Sequence, residues 1–294
     1  MVKVSGHVAC QTALGSKALG RAGSSFVVVL LLLVGQSSFA ATAARVPDES
    51  LPQSGCDRRV FRAVVDVGHS LDAPGALSAR GVPEYQFNLL LAEQVGEALV
   101  RGGFVRTIIL NTFGPARASL VDRVARANSL RADLFLSIHH DSVPHFLKEA
   151  WEYEGQAYTF SDRFRGHSLF VSARNKQAGA SLTFARLLGR QLRAHGLQYT
   201  PHYTQRLMGP WQRMLVDTFA GVYRYDQLVV LRTTSMPAVL LEAGSIVHRE
   251  EELVLASTER QEAISTSVVK AVQEFCSSRG RRGVPRALST RSRN

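Results

Sequence analysis

The chain has 294 residues, of which 45% are hydrophobic and 20% are charged, and its formal net charge is +11. This hydrophobic content excludes an intrinsically disordered chain, and the length is sufficient for one large folded domain. The positive charge would suit an anionic polymer, a membrane surface or a nucleic acid as a partner.

The N-terminal part has the composition of an export signal. Basic residues precede an apolar run over residues 26–35, and small residues ending at Ala40 or Ala43 fit a signal-peptidase cleavage rule. The run of about ten apolar residues is shorter than the ~20 that span a bilayer. We therefore predict a signal peptide over residues 1–43, a periplasmic or secreted protein, and no stable membrane span after cleavage. The alternative is an uncleaved N-terminal anchor, and export argues against nucleic acid as a partner.

The cysteines are compatible with an oxidising compartment. Of Cys10, Cys56 and Cys276, cleavage of the signal would leave the last two, an even number. Cys56 precedes the first predicted strand, and Cys276 ends the last predicted helix. A disulfide between them would join the two ends of the domain, with roughly 4 to 5 kcal/mol of stabilisation in the simple loop-entropy model. Two free thiols are the alternative.

Predicted strands alternate with predicted helices along most of the chain. Short apolar runs predict strands over residues 61–68, 104–110, 133–141, 166–172 and 237–244. Apolar residues at helical spacing predict helices that begin near Glu84 and Pro115, and two more over 182–196 and 264–275. The helix after Pro115 has a predicted apolar side of Leu120, Val121, Val124 and Leu130.

This alternation predicts an α/β fold. We expect a single three-layer domain with a central, mostly parallel or mixed sheet that is flanked by helices. The predicted segments after the signal peptide are a linker (44–59), a catalytic domain (60–277) and a basic disordered tail (278–294). One irregular stretch inside the domain, 142–165, carries Trp151 and Tyr153. It either lines or covers a groove, or is a surface excursion packed by its own aromatic residues.

Polar side chains stand where three of the predicted strands end. His69 follows the first strand, His139 and His140 end the third, and Glu242 lies near the end of the last. Glu84 begins the helix after the first loop. Because ligands of α/β sheets bind beyond the carboxyl ends of the strands, we expect imidazoles and carboxylates to meet at one edge.

Imidazole and carboxylate groups together suit a catalytic Zn²⁺, which takes three protein ligands and keeps a fourth position for water. A further carboxylate can accept the proton of that water. Ordinary roles compete with this hypothesis, because His69 could be a loop histidine and Glu84 a first-turn residue favoured by the helix dipole. Glu242 is harder to explain otherwise, since an unpaired buried charge is costly. Strand alternation lets only one of His139 and His140 face the site, and does not say which.

Four sequence blocks resemble those of the zinc-dependent N-acetylmuramoyl-L-alanine amidases of the bacterial cell wall. The blocks are VVDVGHSLDAPGA, GVPEYQFNLLLAEQV, RVARANSLRADLFLSIHHDS and MPAVLLEAGSIVHREEEL. They occur in order and cover about residues 60 to 276. By this resemblance His69, Glu84 and His139 are the ligands of one Zn²⁺ ion, and Glu242 is the catalytic glutamate.

The resemblance implies hydrolysis of the amide between the lactyl group of N-acetylmuramic acid and the L-alanine of the stem peptide. Peptidoglycan is then the partner, and the need for an activator protein is open. The chain departs from the family pattern at Ser70-Leu71, at His140 and in the segment after Glu242. These changes leave the ligands in place and alter the rim of the site, where they affect substrate range. His140 is either an incidental strand residue or a group beside the site.

Two other functions remain as alternatives. One is a zinc peptidase or amidohydrolase that acts on another cell-wall or peptide substrate. The other is an inactive relative that binds the wall. The intact set of His69, Glu84, His139 and Glu242 favours an active enzyme.

Overall fold

A computed structural model describes residues 55–280. The strands of this part of the chain are β1 (Ala63–Val67), β2 (Ile108–Leu110), β3 (Leu134–Asp141), β4 (Glu149–Tyr153), β5 (Gln156–Phe160), β6 (Ser168–Val171), β7 (Met214–Asp217), β8 (Val222–Arg224) and β9 (Ala238–Ser245). Seven of them form one sheet in the order β2-β1-β3-β9-β6-β8-β7, and β4 and β5 form a separate antiparallel hairpin.

The helices flank this sheet. They are α1 (Glu84–Arg101), α2 (Ala116–Ser129), α3 (Ala178–Ala194), α4 (Val229–Thr233), α5 (Arg249–Leu255) and α6 (Thr258–Gly280). Short 3₁₀ helices span His145–Leu147, His202–Thr204 and Arg206–Trp211. Within residues 55–280, no helix combines the length and apolar character that crossing a bilayer requires.

The sheet is mixed, and this confirms the predicted fold class. Strands β2, β1, β3 and β9 run parallel to one another, whereas β6 is antiparallel to β9 and β7 is antiparallel to β8. Alternate residues of each strand enter two cores, because successive side chains point to opposite faces. Leu136 and Leu241 pack in the core that contains α1, α3 and α6, while Phe135 and Leu240 pack with residues of α2 and α4. The three predicted layers therefore follow from strand alternation.

The two ends of the described domain are joined covalently. Cys56 and Cys276 form a disulfide, with their Cα atoms 5.1 Å apart. Arg58 also donates from Nη1 to the carbonyl oxygen of Gly102 at 3.0 Å. The last residues of the predicted linker are thus attached to the domain, and α6 continues three residues beyond the predicted domain end at 277. The predicted signal peptide and the tail beyond 280 lie outside the described residues.

Two predicted elements differ from the structure. Strand β2 is limited to Ile108–Leu110, because Phe104 lies in a turn and packs against the core rather than pairing with β1. The irregular stretch 142–165 contains the hairpin β4–β5, whose side chains are exposed or half-buried on both faces. A hairpin with no buried face lacks the apolar alternation that identifies a strand in sequence.

Candidate metal centre

All four residues singled out by the sequence lie at the carboxyl edge of the central strands. His69 lies two residues beyond the end of β1, and Glu84 is the first residue of α1. His139 on β3 and Glu242 on β9 are directly paired in the parallel ladder. Paired residues of adjacent strands present their side chains on the same face, so these two side chains are neighbours.

Three of these side chains meet closely enough to hold one ion. Glu84 contacts His69 and His139 with different oxygens: Oε2 lies 3.0 Å from His69 Nε2, and Oε1 lies 3.0 Å from His139 Nδ1. One ligand atom from each residue can be chosen so that all three lie within 4.8 Å of one another. Tetrahedral zinc with bonds of about 2.1 Å separates its ligand atoms by about 3.4 Å, so the group fits such an ion.

The three side chains differ in how much of their surface is exposed to solvent. The side chain of His69 is 32% exposed, that of His139 is 14% exposed, and that of Glu84 is 7% exposed. The group therefore has a buried carboxylate at its base and an accessible imidazole on its outer side. An ion held here would be reachable by a substrate from the side of His69.

The loop between His69 and Glu84 is shaped tightly around these side chains. His69 has a left-handed backbone with a φ of 66°, an uncommon conformation for a residue other than glycine. Gly75 has a φ of 82°, and a Cβ atom there would lie 2.5 Å from Glu84 Oε2. Glu84 also donates its backbone N–H to Ala76 O at 2.8 Å. Glycine at position 75 thus lets the loop approach the side chains of Glu84 and His69 closely.

The charge state of the group suits a divalent cation. Burial by itself would raise the pKa of Glu84, but the hydrogen bonds with His139 and His69 outweigh it and lower that pKa. Burial lowers the pKa of His139, although the hydrogen bond with Glu84 opposes this change. An ionised carboxylate beside a neutral imidazole is the protonation state that metal ligation requires.

His140 lies on the opposite face of β3 and supports the site from there. Its Nδ1 is 2.8 Å from Oδ1 of Asn88, whose Nδ2 donates to Glu84 Oε1 at 3.2 Å and to Gly68 O at 3.1 Å. Burial lowers the pKa of His140 to about 3, so the ring is neutral. Asn88 was not predicted as a site residue, although its position four residues after Glu84 on α1 puts it on the same side of the helix.

Glu242 stands beside the group without joining it. Its Oε2 is buried and has no hydrogen-bond partner among the described residues. Burial raises the pKa of Glu242 well above its usual range, and the carboxylates of Asp141 and Glu84 raise it further. Asp141 is itself held by Tyr203, whose hydroxyl donates to Oδ1 at 2.7 Å. Neither Asp141 nor Tyr203 was assigned a role from the sequence, and Tyr203 lies in a segment without clear periodicity.

The hairpin β4–β5 packs against the loop that leads to Glu84. Trp151 Nε1 donates to the carbonyl oxygen of Ala79 at 2.8 Å, and the ring of Trp151 stacks on that of Tyr153 at 5.5 Å between centroids. The guanidinium of Arg249 lies 3.7 Å from the centroid of the Phe160 ring on β5. The aromatic residues of the stretch 142–165 thus attach the hairpin to the rest of the domain.

Most of the described domain matches a family of known proteins. The family model described as N-acetylmuramoyl-L-alanine amidase matches residues 63–274. An N-acetylmuramoyl-L-alanine amidase of Mycobacterium tuberculosis is 25% identical over 209 residues, which cover 71% of this chain and 75% of that protein.

Solved structures show the same fold. The N-acetylmuramyl-L-alanine amidase Ami1 of Mycobacterium smegmatis superposes with a TM-score of 0.57 at 21% identity, covering 76% of this chain and 99% of that one. The catalytic domain of CwlV, an N-acetylmuramoyl-L-alanine amidase of Bacillus (Paenibacillus) polymyxa var. colistinus, has a TM-score of 0.52 at 25% identity and covers 73% and 97% of the two chains.

Proposed function

The chain belongs to the N-acetylmuramoyl-L-alanine amidase family, and from this premise we propose that it is a zinc-dependent enzyme of peptidoglycan cleavage. The bond cut is the amide between the lactyl group of N-acetylmuramic acid and L-alanine of the stem peptide. The main support for zinc is that His69, Glu84 and His139 lie close together, with one possible ligand atom from each within 4.8 Å of the others.

We assign these three residues as the ligands of a single ion. Two imidazoles and one carboxylate are an established ligand set of catalytic zinc, and they leave a position open. When bound, zinc lowers the pKa of a water molecule to about 7 and polarises a carbonyl group. The 32% exposure of the His69 side chain supports access of substrate to that open position.

Glu242 is assigned as the proton acceptor and donor. Its side chain lies beside that of His139 in the parallel ladder and is not a member of the ligand group. Its raised pKa favours uptake of a proton from water and its later release to the nitrogen of the leaving alanine. The position of Glu242 beside the proposed ligands supports this assignment.

We also propose that the enzyme works outside the cytoplasm. The Cys56–Cys276 disulfide supports this location, because disulfides persist in oxidising compartments and are rare in the cytosol. The signal peptide over residues 1–43 stays a prediction, since it lies outside the described residues. Peptidoglycan is found in the same extracytoplasmic space, so enzyme and substrate would meet there.

The test is product analysis by mass spectrometry after incubation with purified peptidoglycan. We expect free, intact stem peptides, and we expect their release to stop with a zinc chelator and to return when zinc is added back. Shortened stems that remain attached to muramic acid would instead identify a peptidase. Release that persists after complete removal of metal would contradict the zinc assignment.

A further inference from the structure

Helix α2 contributes a buried arginine that lies behind the first proposed ligand. Arg123 is 1% exposed, which is rare for an arginine, and its charge is balanced by Asp66 of β1. Arg123 Nε lies 3.0 Å from Asp66 Oδ1, and Ser137 Oγ donates to the other oxygen of Asp66 at 2.6 Å. Burial raises the pKa of Asp66 to about 7, and the charge of Arg123 and the hydrogen bond from Ser137 act in the opposite direction.

The guanidinium also reaches the loop of the metal centre. Nη2 of Arg123 donates to the backbone carbonyl oxygen of His69 at 2.5 Å. The same nitrogen lies 3.1 Å from Thr112 Oγ1 and 3.3 Å from Ser119 Oγ, and these two hydroxyls are hydrogen-bonded to each other at 2.7 Å. Polar contacts with four residues therefore hold the guanidinium in one position.

The residue that receives this hydrogen bond has an unfavourable backbone. His69 has a φ of 66°, and left-handed non-glycine residues persist where the surrounding structure holds them. That backbone sets the direction of the Cα–Cβ bond of His69, and the imidazole is attached to Cβ and turns about χ1 and χ2. A contact that holds the carbonyl of His69 in place thus helps to hold the position from which its imidazole reaches the ion.

From these contacts we infer that Arg123 is a positioning residue for the metal: oriented by Asp66, it holds the carbonyl of His69 and so aims the imidazole at the ion. This inference rests on the proposed zinc site, although its test does not need substrate. An arginine that only stabilised α2 against the sheet would affect folding and leave zinc affinity unchanged.

The test compares Arg123→Lys with Arg126→Lys in the full chain. Lysine keeps the charge near Asp66 but has no second nitrogen to reach His69 at the same time. Arg126 lies on the same helix, where it is 56% exposed on the side chain and pairs with Asp122 on the surface, so it serves as the matched control. Zinc affinity is measured by competition with a chromogenic chelator, and folding of the metal-free proteins is measured by circular dichroism and thermal unfolding.

We expect about 10- to 100-fold weaker zinc binding in Arg123→Lys, the usual effect of losing a group that orients a ligand, and no change in Arg126→Lys. A folded Arg123→Lys protein with the zinc affinity of the parent would overturn the inference. If Arg123→Lys does not fold, the double variant Arg123→Met/Asp66→Asn decides, because it removes the donor to His69 and both buried charges together. Weaker zinc binding in the double variant supports the inference, and unchanged binding overturns it. Absence of zinc binding in the parent chain would instead contradict the proposed function.

Discussion

His139 and His140 are neighbours in the sequence but serve opposite faces of strand β3. His139 contacts Glu84 through Nδ1 at 3.0 Å, whereas His140 contacts Asn88 on α1 at 2.8 Å. Both rings therefore act on the same carboxylate, one directly and one through an amide. The difference comes from the period-2 geometry of a strand, which sends adjacent side chains to opposite faces.

This geometry predicts different results for the two histidines. We expect His139→Asn to lose bound zinc, because a proposed ligand is removed, and His140→Asn to retain one zinc ion per chain. Elemental analysis of the purified proteins measures both. Zinc loss in His140→Asn together with full occupancy in His139→Asn would reverse the assignment.

The site residues differ in how far the sequence reveals them. His69, Glu84 and Glu242 could be singled out because each lies at a strand end or a helix start along one edge of the predicted sheet. Ordinary structural roles compete for His69 and Glu84, and the resemblance to the amidase family is what selects the metal-binding role. Arg123 could not be singled out, because a charged residue on a helix is normally assigned to the solvent face. The predicted apolar side of α2 is wrong at Val121, which is 63% exposed, while Arg123 lies on the buried side.

At the scale of elements, the hairpin β4–β5 and the loop before α1 behave as one packed unit. The loop residue Gly81 has a φ of 82°, and a Cβ atom at this position would lie 2.7 Å from Tyr158 Cζ on β5. Trp151 of β4 is hydrogen-bonded to Ala79 of the same loop. Displacement of the hairpin should therefore be transmitted to Glu84, three residues after Gly81.

Gly81→Ala tests this connection, with Gly155→Ala as the control. Both glycines have a positive φ, at 82° and 74°, but a Cβ atom at Gly155 meets open space. The backbone strain is thus similar, and the steric clash with Tyr158 is specific to Gly81. We expect Gly81→Ala to bind zinc more weakly than Gly155→Ala in the chelator assay. Equal affinities in the two variants would show that the hairpin does not influence the ligands.

The main strands and helices were predictable from the sequence, whereas the short strands were not. Alternating apolar strands and helical apolar spacing correctly predicted strands β1, β3, β6 and β9 and helices α1, α2, α3 and α6, because these elements pack against the central cores. Strands β7 and β8 were not predicted. They are four and three residues long and lie in a segment where 3₁₀ helices interrupt any period. Their pairing depends on contacts distant in sequence, which local patterns do not contain.

For the molecule as a whole, the disulfide between Cys56 and Cys276 closes the domain. The bond joins residues 220 positions apart, and Cys276 is packed in the same core as Phe275 of α6. A cross-link of this span restricts the unfolded chain strongly in the loop-entropy model. The ends of the domain lie away from the ligand group, so stability and metal binding should respond separately.

We expect Cys56→Ser to lower the free energy of unfolding by about 2 to 5 kcal/mol while the zinc content stays at one ion per chain. Serine is chosen because it is close in size to the half-buried cysteine side chain. Denaturant unfolding of the parent with and without a reducing agent provides the matched comparison. Unchanged stability in both experiments would mean that the bond does not contribute to folding.

The proposed mechanism depends on two separate roles, in which His69, Glu84 and His139 hold the ion and Glu242 transfers the proton. The measurement that addresses it directly is the turnover of Glu242→Ala on purified peptidoglycan sacculi, with the zinc content of the same sample determined by elemental analysis. The prediction is one zinc ion per chain and turnover reduced by at least about 100-fold, the usual effect of losing a general acid–base group. Turnover close to that of the parent, in a sample that contains zinc, would contradict the role of Glu242 and with it the proposed mechanism.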